Sequence, residues 1–168
     1  MKVLFIRHAP AGDKARYAAK GGDDAKRPLT AAGREKMRKA AKGLLSVVRS
    51  IDLIATSPLV RARQTAEIVA ERFGGTKIAQ VAALSPGVSP KDTLSRLAAL
   101  GLTPVLAAVG HEPHLSSVVA LALTGGAGLR LELKKGACCL VEFPDKPEAG
   151  AGTLLWLLAP AQLRELAR

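Results

Sequence analysis

Arg7 and His8 are the residues of this chain whose types and position most directly suggest chemistry. They follow the apolar run Val3–Ile6, which predicts a short buried strand. Ligands of open α/β sheets bind at the carboxyl ends of the strands. An imidazole nitrogen can attack phosphorus, and a guanidinium can hold two phosphate oxygens in a planar fork. We therefore interpret this strand end as a candidate phosphoryl site.

Two further strand-to-helix junctions carry side chains that can bear a positive charge. The predicted strand 52–56 leads through Ser57-Pro58 into a helix that has Arg61 in its first turn. The predicted strand 104–109 leads to His111, again at the start of a helix. Helix N-termini add free N–H groups and a partial positive charge. If the three strands are parallel, all these groups lie at one edge of the sheet and predict an oxyanion site.

Each of these side chains also has a purely structural interpretation. Arg61 could be a solvated helix arginine, which is how we interpret Arg63 and Arg72. His111 could be a hydrogen-bonded histidine of the core. His114, three residues after His111, could share the site, but we expect it on an exposed helix turn. The anion-site hypothesis is favoured because the structural alternatives would have to hold at all three junctions.

Strand and helix patterns alternate along most of the chain, which predicts an α/β fold. One helix is expected from about Thr30 to Ser50, and others are expected to begin at Ser57-Pro58, at Ser89-Pro90 and near Pro113. The apolar runs that predict strands are Val3–Ile6, Asp52–Thr56, Pro104–Val109, Ala137–Phe143 and Thr153–Ala159.

The last two predicted strands are joined by the loop 144–152, which is rich in Pro, Gly and charge, and we expect them to form an antiparallel edge. The predicted fold is a three-layer α/β sandwich with a mostly parallel central sheet and helices on both faces. A length of 168 residues fits a single domain spanning 1–168. The segment 9–28 reads as a long polar loop, either functional or disordered.

Composition excludes several classes of protein. Hydrophobic residues make up 48% of the chain, typical of a folded protein, and no apolar stretch approaches a membrane span. We expect a cytoplasmic protein with no membrane partner. Cys138 and Cys139 would point to opposite faces of a strand, which disfavours a disulfide between them. Metal-ligand spacing is missing, so neither a metal nor another cofactor is expected.

Positive charge is concentrated in the first half of the chain. Residues 1–72 hold 16 basic and 7 acidic residues, whereas residues 73–168 hold 9 and 7. This imbalance indicates an anionic partner, or else a solubilising surface of lysines. Aromatic residues are only 3% of the chain and no nucleic-acid motif occurs, so nucleic acid is not the expected partner.

Four motifs in order resemble the histidine phosphatase superfamily, and the short chain is most similar to its small SixA-type phosphohistidine phosphatase branch. The resemblance spans residues 2 to about 124 and implies a phosphoglycerate mutase-like fold. The motifs are Arg7-His8, Pro28-Leu29-Thr30 with Gly33, Ser57-Pro58 followed by Arg61-Ala62 and Gln64-Thr65-Ala66, and Val109-Gly110-His111.

The resemblance implies a role for each matched side chain. His8 is implied as the catalytic nucleophile that becomes phosphohistidine, with its other ring nitrogen donating to a backbone carbonyl. Arg7, Arg61 and His111 are implied as the phosphate-binding pocket, and His111 also as a catalytic residue. The expected substrate is a phosphorylated protein of the histidine phosphotransfer type or a small phosphorylated molecule, with inorganic phosphate as product.

One departure from the family bears on the substrate. Larger members carry a glutamate before the third helix that protonates an alcohol leaving group, but the segment 81–86 here has no carboxylate. Asp92 and Glu112 are nearby in sequence, and neither matches the motif. Phosphohistidine is therefore the favoured substrate. A small-molecule phosphomonoesterase of the same fold and a non-enzymatic polyanion-binding domain are the alternatives.

Overall fold

Six strands and six α-helices follow one another along the computed structural model, which describes residues 1–126 and 128–167. The strands are β1 (Lys2–Arg7), β2 (Leu53–Thr56), β3 (Ile78–Gln80), β4 (Val105–Gly110), β5 (Cys138–Glu142) and β6 (Thr153–Leu158). The helices are α1 (Lys14–Ala19), α2 (Ala31–Leu44), α3 (Val60–Arg72), α4 (Pro90–Ala98), α5 (His114–Thr124) and α6 (Pro160–Glu165).

The strands form one mixed sheet in the order β3-β2-β4-β1-β5-β6. Strands β1 to β4 are parallel to one another where they pair, whereas β5 runs antiparallel to both β1 and β6. The predicted mostly parallel sheet with an antiparallel edge is therefore confirmed. Among the described residues, no helix is both long and apolar enough to span a bilayer.

Two hydrophobic cores sandwich the sheet, whose central strands β1 and β4 are buried on both faces. Leu4 and Ile6 of β1 pack with α2, α3 and α6, whereas Val3 and Phe5 pack with α4 and α5. Each such buried side chain contributes about 1.5–3 kcal/mol. The predicted three-layer arrangement follows from this alternation. Cys138 and Cys139 are free thiols that belong to opposite cores.

Helix starts follow local capping chemistry at two of the predicted positions. The hydroxyl of Ser89 accepts a hydrogen bond from the Asp92 backbone N–H at 3.1 Å, and Pro90 is the first residue of α4. The hydroxyl of Thr30 accepts from the Gly33 N–H at 2.9 Å and caps α2 in the same way. Both caps satisfy N–H groups that have no partner inside their helices.

The predicted start of α3 is wrong. The helix begins at Val60, and its N-cap is Leu59, which makes no side-chain cap. Pro58 and Leu59 form a bend before the helix, and the Ser57 hydroxyl hydrogen-bonds His111 and accepts from the Leu59 N–H, which lies before the helix. A Ser-Pro pair is a helix-start signal only when the serine hydroxyl is free to cap.

Several short elements were not predicted. The strand β3 has three residues, and α1 and α6 have six each, too few to show a clear hydrophobic period. The segment 9–28 is not a plain loop, because it contains α1 and a 3-10 turn at Asp24–Lys26. The helix α2 ends at Leu44 instead of continuing to Ser50.

Close packing at Gly43 fixes the position of α6 on α2. A Cβ atom at Gly43 would overlap the backbone carbonyl of Leu163 in α6. Gly33 has the same role at the start of α2, where a Cβ atom would overlap the carbonyl of Pro10. The glycine of the second sequence motif is thus required because α2 approaches the loop that follows His8.

We expect Gly43→Ala to destabilise the protein by about 1–3 kcal/mol, since the backbone of α6 must move to admit a methyl group. Gly12→Ala is the control, because a Cβ atom there meets nothing within 4 Å. Urea denaturation of both variants measures the difference. Equal free energies of unfolding for Gly43→Ala and the wild type would contradict the packing argument.

Candidate active site

The parallel register brings three strand ends to one level. Arg7 in β1 lies opposite Gly110 in β4, and Thr56 in β2 lies opposite Val109. The backbone N–H of His8 donates to the Gly110 carbonyl at 3.0 Å, which extends the pairing by one residue. The chain leaves β1 and β4 toward opposite faces of the sheet, so His8 and His111 lie at a switch point of the topology.

His8 and His111 face each other at the centre of this edge. Their ring centroids are 5.1 Å apart with the planes tilted by 54°. Only 6% of His8 and 2% of His111 is exposed. Nδ1 of His8 lies 2.8 Å from the Ala9 carbonyl, and because a carbonyl only accepts, Nδ1 carries the proton. This is the hydrogen bond that the resemblance implies, and it leaves the Nε2 lone pair free.

The environment keeps both imidazoles neutral. Burial, followed by the charges of Arg61, Arg7 and Arg27, lowers the pKa of His8 to about 4, although the hydrogen bond to Ala9 opposes the shift. Burial and the neighbouring His8 and Arg61 lower the pKa of His111 to about 3. A neutral imidazole is the form that can act as a nucleophile at neutral pH.

The Arg7 guanidinium makes one hydrogen bond to the backbone and, among the described residues, keeps one buried N–H without a partner. Its Nη1 donates to the Leu133 carbonyl at 2.7 Å. Its Nε is buried and has no hydrogen-bond partner in the described part of the chain. A buried, unpaired N–H group is costly, so this donor is available for an anion. Leu133, in the segment before β5, thereby orients the guanidinium.

Arg61 is also buried, with 4% of the residue exposed, so it is not a solvated helix arginine. Its Nη1 donates to the Asp24 backbone carbonyl at 2.8 Å, and its Nη2 lies 3.2 Å from the Asp24 carboxylate. Its Nε has no partner among the described residues. Arg72 on the same helix is exposed and Arg63 is half-buried.

Arg27 and Asp24 are residues of the site that the sequence analysis did not identify. Arg27 is 8% exposed, and its Nε donates to Asp24 at 2.8 Å. Burial opposes ionisation of Asp24, but the hydrogen bond from Arg27 and the charges of Arg61 and Arg27 outweigh it and lower its pKa. Arg27 precedes the motif at residues 28–30, and this adjacency is the only sequence signal that could have identified it.

The remaining motif residues position the loop after His8. Thr65 in α3 accepts a hydrogen bond from the Ala9 N–H at 3.0 Å and donates to the Arg61 carbonyl at 2.8 Å. The Gln64 side chain accepts from the Leu29 N–H at 2.9 Å. The third motif therefore ties Arg61, the His8 loop and the start of α2 into one frame.

Comparison with known proteins agrees with this geometry. The family model of the histidine phosphatase superfamily (branch 1) matches residues 3–85. Phosphohistidine phosphatase SixA from Escherichia coli is 28% identical over 171 residues, which cover 98% of this chain and 97% of SixA. The structure of the protein histidine phosphatase SixA complexed with tungstate superposes with a TM-score of 0.79 at 27% identity, covering 97% of this chain and 99% of that one.

This chain belongs to the histidine phosphatase superfamily. Within it the chain is similar to the SixA-type branch. An uncharacterized protein from Picosynechococcus sp. is 36% identical over 137 residues, covering 80% of this chain and 81% of that protein.

The prediction for the third histidine, His114, needs a correction. His114 was predicted on an exposed helix turn, but it is 7% exposed. Its Nε2 lies 2.8 Å from the Thr93 hydroxyl and links α5 to α4, and burial lowers its pKa. The prediction is wrong because α4 covers the first turn of α5, which the sequence pattern of α5 alone does not show.

Of the two acidic residues that lie nearby in sequence, Glu112 makes hydrogen bonds and Asp92 is exposed. Glu112 accepts a hydrogen bond from the Ser116 hydroxyl through one oxygen and, at 3.3 Å, from the Leu133 N–H through the other. Asp92 is exposed on α4. The segment 81–86 forms a 3-10 turn at Ala82–Leu84, without a carboxylate. In residues 1–126 and 128–167, no cluster of His, Cys, Asp or Glu is arranged to hold a metal ion.

We expect His8 to remain the neutral Nδ1–H tautomer from pH 8 down to about pH 5, because its pKa lies near 4. Nitrogen-15 NMR of the histidine rings distinguishes the two tautomers and follows their titration. A His8 titration centred near pH 6.5 would contradict the buried, cation-flanked environment.

The same pKa values predict how stability depends on pH. Because His8 and His111 have folded pKa values below 6.5, the unfolded chain binds more protons than the native protein between about pH 6.5 and 4. The free energy of unfolding should fall as the pH is lowered through this window, by up to about 1.4 kcal/mol per pH unit for each histidine. His111→Gln should make this dependence shallower, which urea denaturation at several pH values measures.

Proposed function

We propose that this protein is a phosphohistidine phosphatase, that residues 1–168 act as one domain, and that His8 is its nucleophile. The observation that carries the proposal is a buried, neutral His8 whose Nε2 is free and which is flanked by Arg7, Arg61 and Arg27. The SixA relatives support it, since one is named a phosphohistidine phosphatase and another was solved with tungstate, an oxyanion.

In the proposed first step, the His8 Nε2 lone pair attacks the phosphorus of a phosphohistidine substrate. A bond forms between phosphorus and Nε2, and the bond between phosphorus and the substrate imidazole breaks. The leaving imidazole takes a proton from water. Arg7, Arg61 and His111 bind the phosphoryl oxygens and stabilise their charge, which is the main requirement of phosphoryl transfer.

In the second step, water attacks the phosphorus of phosphorylated His8. The bond between phosphorus and Nε2 breaks, the attacking water loses a proton to the solvent, and inorganic phosphate leaves with neutral His8 restored. The hydrogen bond from Nδ1 to the Ala9 carbonyl keeps the ring in one orientation throughout. The proposed cycle uses no metal, no cofactor and no other covalent intermediate.

The substrate class follows from the carboxylates around His8. An ester substrate releases an alkoxide unless an acid protonates it. Asp24, with its lowered pKa, is ionised at neutral pH, and both oxygens of Glu112 accept hydrogen bonds. An imidazole leaving group can take its proton from water and needs no carboxylic acid from the protein. We therefore place protein phosphohistidine ahead of small phosphomonoesters as the substrate. As a separate point, we propose that the reaction takes place in the cytoplasm.

His8→Ala should abolish both turnover and covalent labelling. The wild type, quenched during turnover of a phosphorus-32-labelled phosphohistidine substrate, should carry acid-labile, base-stable phosphate on His8. Peptide mapping locates the label, and the experiment is run with EDTA present. Label on His111, or activity that EDTA removes, would refute the assignment.

Arg61→Ala should reduce kcat/KM by about 10²–10³, the cost of losing one electrostatic stabiliser. Arg61→Lys should recover little, because an ammonium lacks the bidentate fork. Arg63→Ala on the same helix is the matched control and should change kcat/KM by less than about twofold, as expected of a partly solvated side chain. Similar losses of kcat/KM in both alanine variants would contradict the assignment of Arg61 to the phosphate pocket.

A comparison of kcat/KM for three substrates tests which leaving group the protein prefers. The expected order of kcat/KM is phosphohistidine in a peptide, then an aryl phosphate, then a sugar phosphate. A general acid contributes about 10²–10⁴ in rate, and this is the expected deficit against alkyl phosphates. If the sugar phosphate is the best substrate, the protein is a phosphomonoesterase with an acid supplied from elsewhere.

A further inference from the structure

A groove lined by residues of α4, α5 and the segment 129–131 has no assigned role, and Ser116 in its lining donates a hydrogen bond to Glu112, the residue after His111. The groove has a volume of about 530 Å³. Its apolar wall includes Leu121, Leu129 and Leu131, and Leu129 is 38% exposed. Its charged lining residues in the described part of the chain are Lys91 and Arg130, with no carboxylate among them.

The fold places this groove beside the phosphoryl pocket. Helix α5 begins just after His111, and α4 lies against it through the contact between His114 and Thr93. The segment 129–131, which forms the third wall, ends two residues before Leu133. The Leu133 carbonyl accepts a hydrogen bond from Arg7, and the Leu133 N–H donates to Glu112. The groove and the pocket are therefore built on the same pieces of chain.

The side chains of the proposed phosphoryl site are more buried than the groove. His8, Arg61 and His111 are at most 6% exposed, whereas Leu129 in the groove is 38% exposed, so we expect only the phosphohistidine side chain itself to enter the site. The residues that flank it in a substrate protein must then lie on the surface around the site. The groove offers them leucine side chains as an apolar floor and two cations at its rim, a combination that favours apolar and acidic residues.

We propose that this groove docks the phosphohistidine-bearing segment of a substrate protein, through apolar side chains on its leucines and acidic side chains on Lys91 and Arg130. The inference rests on the proposed function and makes that function selective for proteins. A free phosphohistidine bound at His8 has no flanking residues to place in the groove. The groove should therefore affect the turnover of longer substrates only.

The test uses three probes with the full-length protein: a peptide with one phosphohistidine flanked by Leu and Glu, the same peptide with Ser and Gln in their place, and free phosphohistidine. The groove variant is Lys91→Glu with Arg130→Glu. The control is Lys42→Glu with Arg38→Glu, the same change of charge on exposed residues of α2 across the sheet.

The Leu- and Glu-containing peptide should be the better peptide for the wild type, and the groove variant should lower its kcat/KM about tenfold through KM. Turnover of free phosphohistidine should be unchanged in the groove variant, and the control should affect neither probe. Leu129→Ser should raise the KM for the same peptide without a change of charge.

Equal kcat/KM for the two peptides, or equal losses in the groove and control variants, would overturn the docking proposal while leaving the phosphatase intact. A dimer that the groove substitutions dissociate in sedimentation experiments would assign the groove to a second copy instead. Absence of wild-type turnover on all three probes would mean that the proposed function itself fails.

Discussion

The in-register alignment of β1, β2 and β4 is the constraint on which the rest of the site depends. Pairing Arg7 with Gly110 and Thr56 with Val109 places three chain segments at one level of the sheet edge. A slip of one residue in β1 would exchange Leu4 and Ile6 with Val3 and Phe5 between the two cores, each of which would have to repack. Core packing therefore holds the register, and the register places His8 and His111 at the same level.

This edge concentrates positive charge inside the protein, and the fold compensates for it in two ways. Asp24 interacts with both Arg27 and Arg61, and the Leu133 carbonyl accepts from Arg7. The histidines meanwhile remain neutral and add no further charge. Among the described residues, the Nε groups of Arg7 and Arg61 are buried donors without an internal partner, and an oxyanion would satisfy them.

The segment 9–28 shows how a polar stretch acquires structure from the site it covers. Its helix α1 has no buried residue, so hydrophobic burial does not hold it. The contact of Asp24 with Arg61 attaches the segment to α3, and the hydrogen bond from Arg27 to the Gly12 carbonyl joins the two ends of the segment. Its order therefore depends on ionic and hydrogen-bonding contacts that also complete the electrostatics of the site.

The sequence by itself determined the α/β class, the antiparallel edge and the convergence of Arg7, His8, Arg61 and His111, because apolar runs and junction residues are local signals. It did not determine β3, α1 or α6, which are too short to be periodic, or the true start of α3, since the Ser57 hydroxyl serves His111.

Only the tertiary structure decided the burial of His114 and the entry of Arg27 and Asp24 into the site. Those positions result from contacts between segments far apart in the chain, Asp24 with Arg61 and Thr93 with His114. A loop arginine and a helix histidine look the same in sequence whether solvated or buried. The physical reason is that burial and charge pairing depend on which surfaces meet, and local sequence patterns do not record those meetings.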